Sequence, residues 1–508
     1  MSCEDPTGGA DAVMARRPKY DRSKICVKCK QRTGNIVIRH AVYCRECFVP
    51  LITYRFRKAL EPHVNERPDG PRRTALKPRG NLLIAYSGGL GSTVLLDLVK
   101  RCYVNPDESL VSMEGGRDHP RHERVWKRVT VCYVELCGAF PEMRDRTEDA
   151  KATVSACQDI EWLPLRIEDV FDASWWRRVG VQPDVSPLHV DLRDDKLSFT
   201  TDSDDDVKKS PIQALRQYLA SLPTPTALDS TVKIFVRVLL QYAALMTGSS
   251  HLLFGTTLTS LAVSLISGVS QGNGFHVKEE TQEEWSPESS FTSGTNDGER
   301  EKKARSKRSV RLLRPLREIG RKECAVWCWW MGLKVVGRED WKWPGTKPGI
   351  DKLTRDFIFG LEKDYPSTVS TIVKTCAKLV PKGEKAGYCV SCQRPIQYGM
   401  QDWKNRIAIR SRDGGSALRT SASEGNSLAR YLCYVCHTNL TSKGARPLPP
   451  LFEDIKSCDT VVTPVWTSSR IDSLVAPVSL PPDAIPKVAT PLTESAMREA
   501  VQEYLLDD

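Results

Sequence analysis

Residues 81–100 read Asn-Leu-Leu-Ile-Ala-Tyr-Ser-Gly-Gly-Leu-Gly-Ser-Thr-Val-Leu-Leu-Asp-Leu-Val-Lys, which is an apolar run, a small-residue loop and a second apolar run. The first run predicts a buried strand, and the second predicts a helix because its apolar positions recur at helical spacing. The loop between them contains Ser87, Gly88, Gly89, Gly91, Ser92 and Thr93. Small residues let backbone N–H groups approach a phosphate, which the helix dipole also stabilises. The stretch predicts a phosphate-binding loop, with an ordinary glycine-rich turn as the alternative.

Strand and helix patterns alternate after this loop. Predicted strands cover residues 129–136, 162–167, 251–255 and 311–316, and predicted helices cover residues 143–157, 211–222, 230–247 and a segment from Leu258. Such alternation is typical of an α/β fold with a parallel sheet covered by helices on both faces. We assign this domain to residues 75–340.

Polar and cysteine-containing segments surround and interrupt this domain. We expect a disordered tail at residues 1–20, a cysteine module at 21–60, and disordered insertions near 183–209 and 272–309, because these insertions look too polar to bury a core. Residues 341–508 should hold further helices, a split cysteine module and a tail that ends in an acidic helix at 493–506. A length of 508 residues agrees with two or three domains.

The composition limits the compartment and the partners. The sequence is 40% hydrophobic and 27% charged, and it contains no apolar run near the roughly 20 residues that a membrane helix needs. The N-terminus lacks the apolar core of a secretory signal, so we expect a cytoplasmic protein without membrane contact. The net charge of +11 favours polyanions. Basic clusters at residues 55–58, 72–79 and 302–321 are candidates for phosphate contacts, with solvated surface charge as the alternative.

Eight of the 17 cysteines form four Cys-x-x-Cys pairs. Cys26, Cys29, Cys44 and Cys47 have the spacing of a structural zinc site, in which four thiolates close a tetrahedron and leave no position for water. Cys389, Cys392, Cys433 and Cys436 predict a second such site, since a longer loop adds only about 0.6 kcal/mol to closure per doubling of its length. Two unrelated exposed pairs are the alternative for the second set. His40 and His437 lie nearby in sequence as spare neighbours.

The loop at Ser87 is not followed by the Gly-Lys-Ser/Thr of a Walker motif. It resembles the Ser-Gly-Gly-x-Asp-Ser loop of the N-type ATP pyrophosphatases, the PP-loop family, whose members adenylate a carbonyl with ATP and Mg²⁺. Gly91 stands where adenylating members carry an acid, and it offers no oxygen to a metal. Thr259 and Ser260 likewise stand where tRNA thiolases of this family continue with two acids. The resemblance thus implies a vestigial nucleotide site at residues 87–93 and no catalytic residues.

The catalytic relatives also use a Cys-x-x-Cys pair and a third cysteine for sulfur chemistry. By alignment these positions fall near residues 229–233 and near Glu339, where this chain has no cysteine. A slipped alignment would instead make Cys132, Cys137, Cys324 or Cys328 the equivalents. Core packing is the better interpretation of these four, because buried cysteine behaves as a small hydrophobic residue.

The order of the motifs extends the resemblance over most of the chain. Tyr43-Cys-Arg-Glu-Cys-Phe48, the Ser87 loop, Arg314-Pro-Leu-Arg-Glu-Ile-Gly-Arg-Lys-Glu-Cys324 and a C-terminal pair of knuckles occur in succession. Together they resemble the cytoplasmic tRNA 2-thiolation protein family, and within it the protein 2 branch. That branch implies an accessory subunit that forms a heterodimer with a catalytic tRNA thiolase subunit.

The same resemblance implies a sulfur donor and a product. The donor is a thiocarboxylated ubiquitin-related modifier, which also links the family to protein urmylation. The product is 5-methoxycarbonylmethyl-2-thiouridine in the Lys, Glu and Gln tRNAs. Two other classes stay open from the residues alone. One is an autonomous ATP-dependent tRNA-modifying enzyme, and the other is a zinc-knuckle RNA-binding scaffold without a nucleotide site.

Overall fold

The computed structural model describes residues 25–64, 80–104, 125–287, 309–337, 343–379, 385–401, 427–442 and 448–474, together with residues 404 and 495, with gaps at 158, 182–187, 195, 202–208, 344, 453–454 and 456–459. The predicted N-terminal tail, the basic cluster at 72–79, Glu339 and the predicted helix at 493–506 lie outside the described residues, apart from Ser495.

The strands, in chain order, are β1 Ile36–Ile38, β2 Ala41–Tyr43, β3 Asn81–Ala85, β4 Val129–Glu135, β5 Glu161–Arg166, β6 Leu188–Val190, β7 Phe199–Thr201, β8 Ser249–Phe254, β9 Glu283–Trp285, β10 Val310–Leu313, β11 Lys385–Tyr388, β12 Pro395–Gln397 and β13 Val461–Val462. Six of them form one sheet in the order β5-β4-β3-β8-β10-β9. All neighbours are parallel except the edge strand β9, which runs antiparallel to β10. The order reverses between β3 and β8, which is where α/β sheets place ligands at the carboxyl ends of the strands.

The α-helices, in chain order, are α1 Arg45–Val64, α2 Leu90–Val99, α3 Thr147–Ser155, α4 Ala173–Val179, α5 Pro211–Ala220, α6 Pro225–Met246, α7 Leu258–Ser270, α8 Val277–Thr281, α9 Arg321–Trp330, α10 Ile350–Asp364, α11 Pro366–Cys376, α12 Tyr434–Thr441 and α13 Val465–Leu474. Their starts follow local sequence. Thr224 caps α6 by accepting from the Ala227 backbone N–H at 3.1 Å, and a proline follows the cap. The helix predicted at 143–157 is shorter at both ends, and the one predicted at 230–247 begins earlier, at Pro225.

Alternate residues of the central strands face two separate cores. Leu83 and Leu252 point into one core, which contains α4, α6 and the C-terminal cysteine module. Leu82 and Leu253 point into the other, which contains α1, α2 and α9. The period of two in a strand produces this division. The prediction of an α/β sheet covered on both faces is confirmed, and the two cysteine modules pack against opposite faces.

The acidic tract near residues 183–209 contains an ordered hairpin, so the prediction of disorder is wrong for its described part. Strands β6 and β7 pair antiparallel, and β13 joins them from far along the chain. Leu188, Val190 and Leu197 are buried. The acids form the turn instead of keeping the segment unfolded, because the Asp194 carboxylate accepts from the Lys196 backbone N–H at 2.9 Å.

The second predicted insertion, residues 272–309, is also ordered in its described first part. Residues 273–285 form a short 3₁₀ helix, α8 and β9, and they bury His276, Val277 and Trp285. Glu283 is buried because it pairs with Arg237. Polar composition misled the prediction here, since an acid with a buried partner can occupy a core. Residues 288–308 lie outside the described part.

None of the helices in the described part combines the length and apolar character needed to cross a bilayer. The boundaries assigned from sequence to the domains remain predictions.

Candidate metal centres and phosphate loop

The four N-terminal cysteines meet at one point. Cys26 and Cys29 lie on a tight turn before β1, Cys44 directly precedes α1, and Cys47 lies in its first turn. Their Sγ atoms lie within 4.8 Å of one another, and Cys29 and Cys44 are separated by 3.8 Å. A tetrahedron with Zn–S bonds of about 2.3 Å has S···S edges of about 3.8 Å. The residues therefore fit zinc.

The C-terminal cysteines make the same arrangement in a buried setting. Cys389 and Cys392 lie on the turn between β11 and β12, while Cys433 caps α12 and Cys436 lies in its first turn. The Sγ atoms of Cys392 and Cys433 are 3.7 Å apart, and all four cysteines are buried, whereas Cys29 and Cys47 are partly exposed. Both four-cysteine sites can thus bind zinc. Among the described residues, these two clusters contain only cysteines, so neither His40 nor His437 belongs to them.

The two knuckles share one backbone conformation that sequence reasoning missed. Lys30 and Gln393, each directly after the second cysteine of a pair, have φ of 57° and 60°. Their N–H groups donate to the carbonyls of Cys26 and Cys389 at 2.9 and 2.7 Å. Left-handed conformation usually selects glycine, so a lysine and a glutamine gave no signal.

The pKa shifts differ among the thiols of each cluster. Burial raises the pKa of the Cys26 thiol, but hydrogen bonds from backbone N–H groups, led by that of Cys29, outweigh it and lower the pKa to about 6. Hydrogen bonds from the other three thiols, Cys389 first, hold the pKa of Cys392 well below its usual value. Burial raises the pKa of Cys44 and Cys47, and the neighbouring thiols, Cys389 first, raise those of Cys433 and Cys436. Metal ligation requires all four cysteines to be deprotonated, so binding would release protons from these thiols.

The C-terminal knuckle contacts five different elements through five consecutive residues. The carbonyls of Ser391, Cys392 and Pro395 contact Trp466 of α13, Arg237 of α6 and His276 of the 3₁₀ helix, the Gln393 amide contacts Trp285 of β9 and Tyr242 of α6, and Arg394 pairs with Glu280 of α8. This knuckle therefore links five elements of the core that contains α4 and α6.

The loop at Ser87 has the predicted position between β3 and α2. Gly89 caps α2, and the Ser92 hydroxyl donates to its carbonyl at 3.0 Å. Gly88 has φ of 73°, and its carbonyl accepts from the Gly337 N–H at 3.0 Å. Residues after α9 therefore cover the loop.

Gly91 has no room for a side chain. A Cβ on Gly91 would lie 2.0 Å from the Gly255 carbonyl oxygen, and a Cβ on Gly255 would lie 2.5 Å from the Ser92 nitrogen. The loops after β3 and β8 thus approach each other at the point where the sheet order reverses. A carboxylate at position 91 would require the backbone to move.

The other positions compared with catalytic relatives have structural partners. Thr259 is buried, donates to Glu362 at 2.9 Å and accepts from the Arg321 N–H at 3.1 Å. Ser260 contacts Thr257, which caps α7.

Residues 229–233, the inferred position of a catalytic cysteine pair, instead fasten α6 to the C-terminal region. Asp229 accepts from the Trp343 ring N–H at 2.9 Å, and Lys233 pairs with Asp351. Cys132, Cys324 and Cys328 are buried in the cores, as the packing interpretation predicts. Cys137 is only partly buried, and Arg166 donates to its Sγ at 3.3 Å.

Several cations of the predicted basic clusters make internal contacts. Arg55 pairs with the buried Glu323 at 3.5 Å, Arg314 is buried, and Arg321 stacks on Phe359 at 4.4 Å. Lys58 and Lys322 stay exposed. The described part of these clusters therefore offers fewer cations to a phosphate than the sequence indicates.

Comparison with known proteins finds one family model and several relatives that are similar to this chain. The family model described as cytoplasmic tRNA 2-thiolation protein 2 matches residues 349–438, which contain α10, α11 and the C-terminal cysteine module. The structure is also similar to the U34-tRNA thiolase NcsA from Methanococcus maripaludis with its [4Fe-4S] cluster, at a TM-score of 0.42 and 16% identity over 82% of this chain and 97% of that chain.

Relatives named cytoplasmic tRNA 2-thiolation protein 2 occur in plants, fungi and animals. The Arabidopsis thaliana relative is 25% identical over 71% of this chain and 65% of its own length. The Phaeosphaeria nodorum relative is 24% identical over 83% of this chain and 96% of its own, and the Rattus norvegicus relative is 23% identical over 99% and 94%. The chain is thus similar over most of its length to proteins named cytoplasmic tRNA 2-thiolation protein 2.

Proposed function

We propose that this chain is an accessory subunit of a cytoplasmic complex that thiolates the wobble uridine of tRNA. A catalytic PP-loop subunit would be its partner in a heterodimer, and a thiocarboxylated ubiquitin-related modifier would donate the sulfur. The product would be 5-methoxycarbonylmethyl-2-thiouridine in the Lys, Glu and Gln tRNAs. Similarity to relatives named cytoplasmic tRNA 2-thiolation protein 2 supports the pathway, and the residues of this chain support the accessory role.

The observation that carries the accessory role is the contact between Gly91 and Gly255. A PP-loop enzyme that adenylates a carbonyl needs oxygen ligands for the metal that neutralises pyrophosphate. Here the position in the loop has no space for an acid, since a Cβ would lie 2.0 Å from a carbonyl oxygen. Thr259 is likewise bound to Glu362 and Arg321. Residues 87–93 would then be a vestigial nucleotide site, and activation of the uridine carbonyl would belong to the partner.

Two structural zinc ions complete the proposal. Cys26, Cys29, Cys44 and Cys47 would hold one, and Cys389, Cys392, Cys433 and Cys436 the other. Four thiolates fill the shell of zinc, so the ion would fix the fold and leave no site for substrate. The modules would support the α/β domain at 75–340, which would present surface to tRNA and to the catalytic subunit.

The test is reconstitution with purified components. Unmodified tRNA is incubated with ATP, Mg²⁺ and sulfide, with this chain alone, with the catalytic partner alone and with both, and thiouridine is measured by mass spectrometry. We expect product only when both subunits are present. Product from the isolated chain at the rate of the pair would favour an autonomous enzyme. Equal product with and without this chain would favour the RNA-binding scaffold.

A further inference from the structure

Five charged side chains form a buried cluster beside the C-terminal cysteines, which we call the arginine–glutamate cluster. Its members are Arg237 of α6, Arg314 after β10, Arg394 two residues after Cys392, Glu280 of α8 and Glu283 of β9. Arg237 pairs with Glu283, Arg394 pairs with both glutamates, and Arg314 lies 3.7 Å from Glu280. No side chain of the cluster is more than 18% exposed.

The cluster is not electrically balanced. It sets three guanidinium groups against two carboxylates, so one positive charge remains. Within the described ranges no third carboxylate forms an ion pair with these arginines. Burial alone would raise the pKa of Glu280, but attraction to Arg394 and Arg314 lowers it to about 2, so the glutamate stays charged. Excess buried charge is costly unless an opposite charge lies nearby.

The cysteines of the C-terminal module lie beside the cluster. Arg237 donates to the Cys392 carbonyl at 2.7 Å, and the Arg394 carbonyl accepts from the Cys389 N–H at 2.8 Å. Both arginines line a cavity of about 180 Å³ together with Cys392, Cys433 and Cys436. Four thiolates around a divalent metal carry a net charge of about −2, which is opposite in sign to the excess on the cluster.

We propose that the arginine–glutamate cluster is the counter-charge of the C-terminal metal–thiolate centre, and that Arg237, Arg314 and Arg394 are positioning residues that set its metal affinity. The inference rests on the zinc ligation proposed above but not on thiolation activity. The N-terminal centre has a different environment, because its neighbouring Arg32 pairs with Glu46 at the surface. Charge from outer-shell partners should therefore favour metal at the C-terminal centre only. Loss of such a partner typically weakens metal affinity about 10- to 100-fold.

The test uses the full chain loaded with Zn²⁺ and titrated with a competing chelator, so that the two ions per chain are measured separately. We expect Arg394→Met to weaken one ion about 10- to 100-fold and to leave the other unchanged. Arg314→Gln removes a charge without touching the knuckle and should act in the same direction. Arg394→Lys keeps the charge and should lie closer to the original. Arg45→Met, at the exposed start of α1, is the matched control and should not alter the C-terminal ion.

Removal of a carboxylate distinguishes an electrostatic role of the arginine–glutamate cluster from a structural one. Glu283→Gln breaks buried ion pairs as the arginine variants do, but it raises the excess positive charge of the cluster. We expect the C-terminal ion to be held at least as tightly in Glu283→Gln as in the original chain. Equal weakening in Glu283→Gln and Arg394→Met would show a purely structural role and overturn the proposal. Unchanged zinc affinity in Arg314→Gln and Arg394→Met, or a chain that binds no metal at its C-terminal cysteines, would also overturn it.

Discussion

Gly91 is expected to tolerate no side chain. Gly91→Ala should lower the free energy of unfolding by about 1–3 kcal/mol, because its Cβ would overlap the Gly255 carbonyl oxygen at 2.0 Å. Gly89→Ala is the matched control in the same loop, where the new Cβ would make an ordinary contact 3.6 Å from the Ser87 Oγ. Its cost should stay below about 1 kcal/mol. Urea denaturation measures both, and equal stability of the two variants would contradict the close approach.

The close approach of Gly91 to Gly255 should also prevent an acid at position 91 from restoring activity. Gly91→Asp should destabilise the chain and form no thiouridine in the reconstituted assay without the catalytic partner. Detection of thiouridine from that variant alone would show that the loop can open and that the missing acid was the main defect.

Thr259 should matter for stability more than its exposed neighbour. Thr259→Val keeps the shape of the side chain but removes its bonds to Glu362 and to the Arg321 N–H. Loss of these part-buried hydrogen bonds should lower the free energy of unfolding by about 1 kcal/mol. Ser260→Ala is the control, and as a surface change it should cost about 0.5 kcal/mol or less. The reverse ranking in urea denaturation would contradict the role assigned to Thr259.

Among the elements, the two cysteine modules should differ in how far their loss spreads. Cys436→Ser should destabilise the whole domain, because the C-terminal knuckle contacts α6, α8, β9 and α13. Cys29→Ser should act mainly on residues 25–47, since Cys29 and Cys47 are partly exposed. Hydrogen exchange measures the loss of backbone protection in each segment of both variants. Global loss of protection in Cys29→Ser, equal to that in Cys436→Ser, would contradict this difference.

Residues 288–308 should be replaceable by a short turn. Trp285 of β9 pairs with Val310 of β10, so the two ends of the segment lie side by side. A four-residue linker should therefore preserve soluble, folded protein. Deletion of residues 188–201 is the contrasting variant, and it should abolish folding because it removes the buried Leu188, Val190 and Leu197. Thermal unfolding of the purified variants tests both expectations.

The sequence was most informative where structure is local. Apolar runs at residues 81–86 and 251–254 predicted central strands because most side chains there are buried, and the cysteine spacing predicted the two clusters. The hairpin of β6 and β7 was missed because its partner β13 lies about 270 residues away in sequence, with Val461 opposite Val190. The buried Glu283 was missed because its partners come from two distant segments. Composition does not encode such long-range partners.

At the scale of the whole molecule, the two metal centres lie against opposite faces of one sheet and differ in exposure. Zinc should therefore leave the chain in two kinetic phases when a chelator is added in excess. The fast phase should come from the N-terminal centre, and Cys29→Ser should remove it. A single phase in the original chain, or loss of the slow phase in Cys29→Ser, would contradict this order.

The position of α13 has a consequence for biosynthesis. Trp466 is fully buried between Trp176 and Phe235, at ring distances of 5.2 and 5.7 Å, and its indole N–H donates to Ser391. The core around α4 and α6 is thus incomplete until Trp466 is synthesised, some 230 residues after Phe235. During that interval the ribosome carries a chain whose larger core is still open to water, and such exposed apolar surface attracts chaperones. Nascent chains should become resistant to protease only after residues 461–471 have left the exit tunnel.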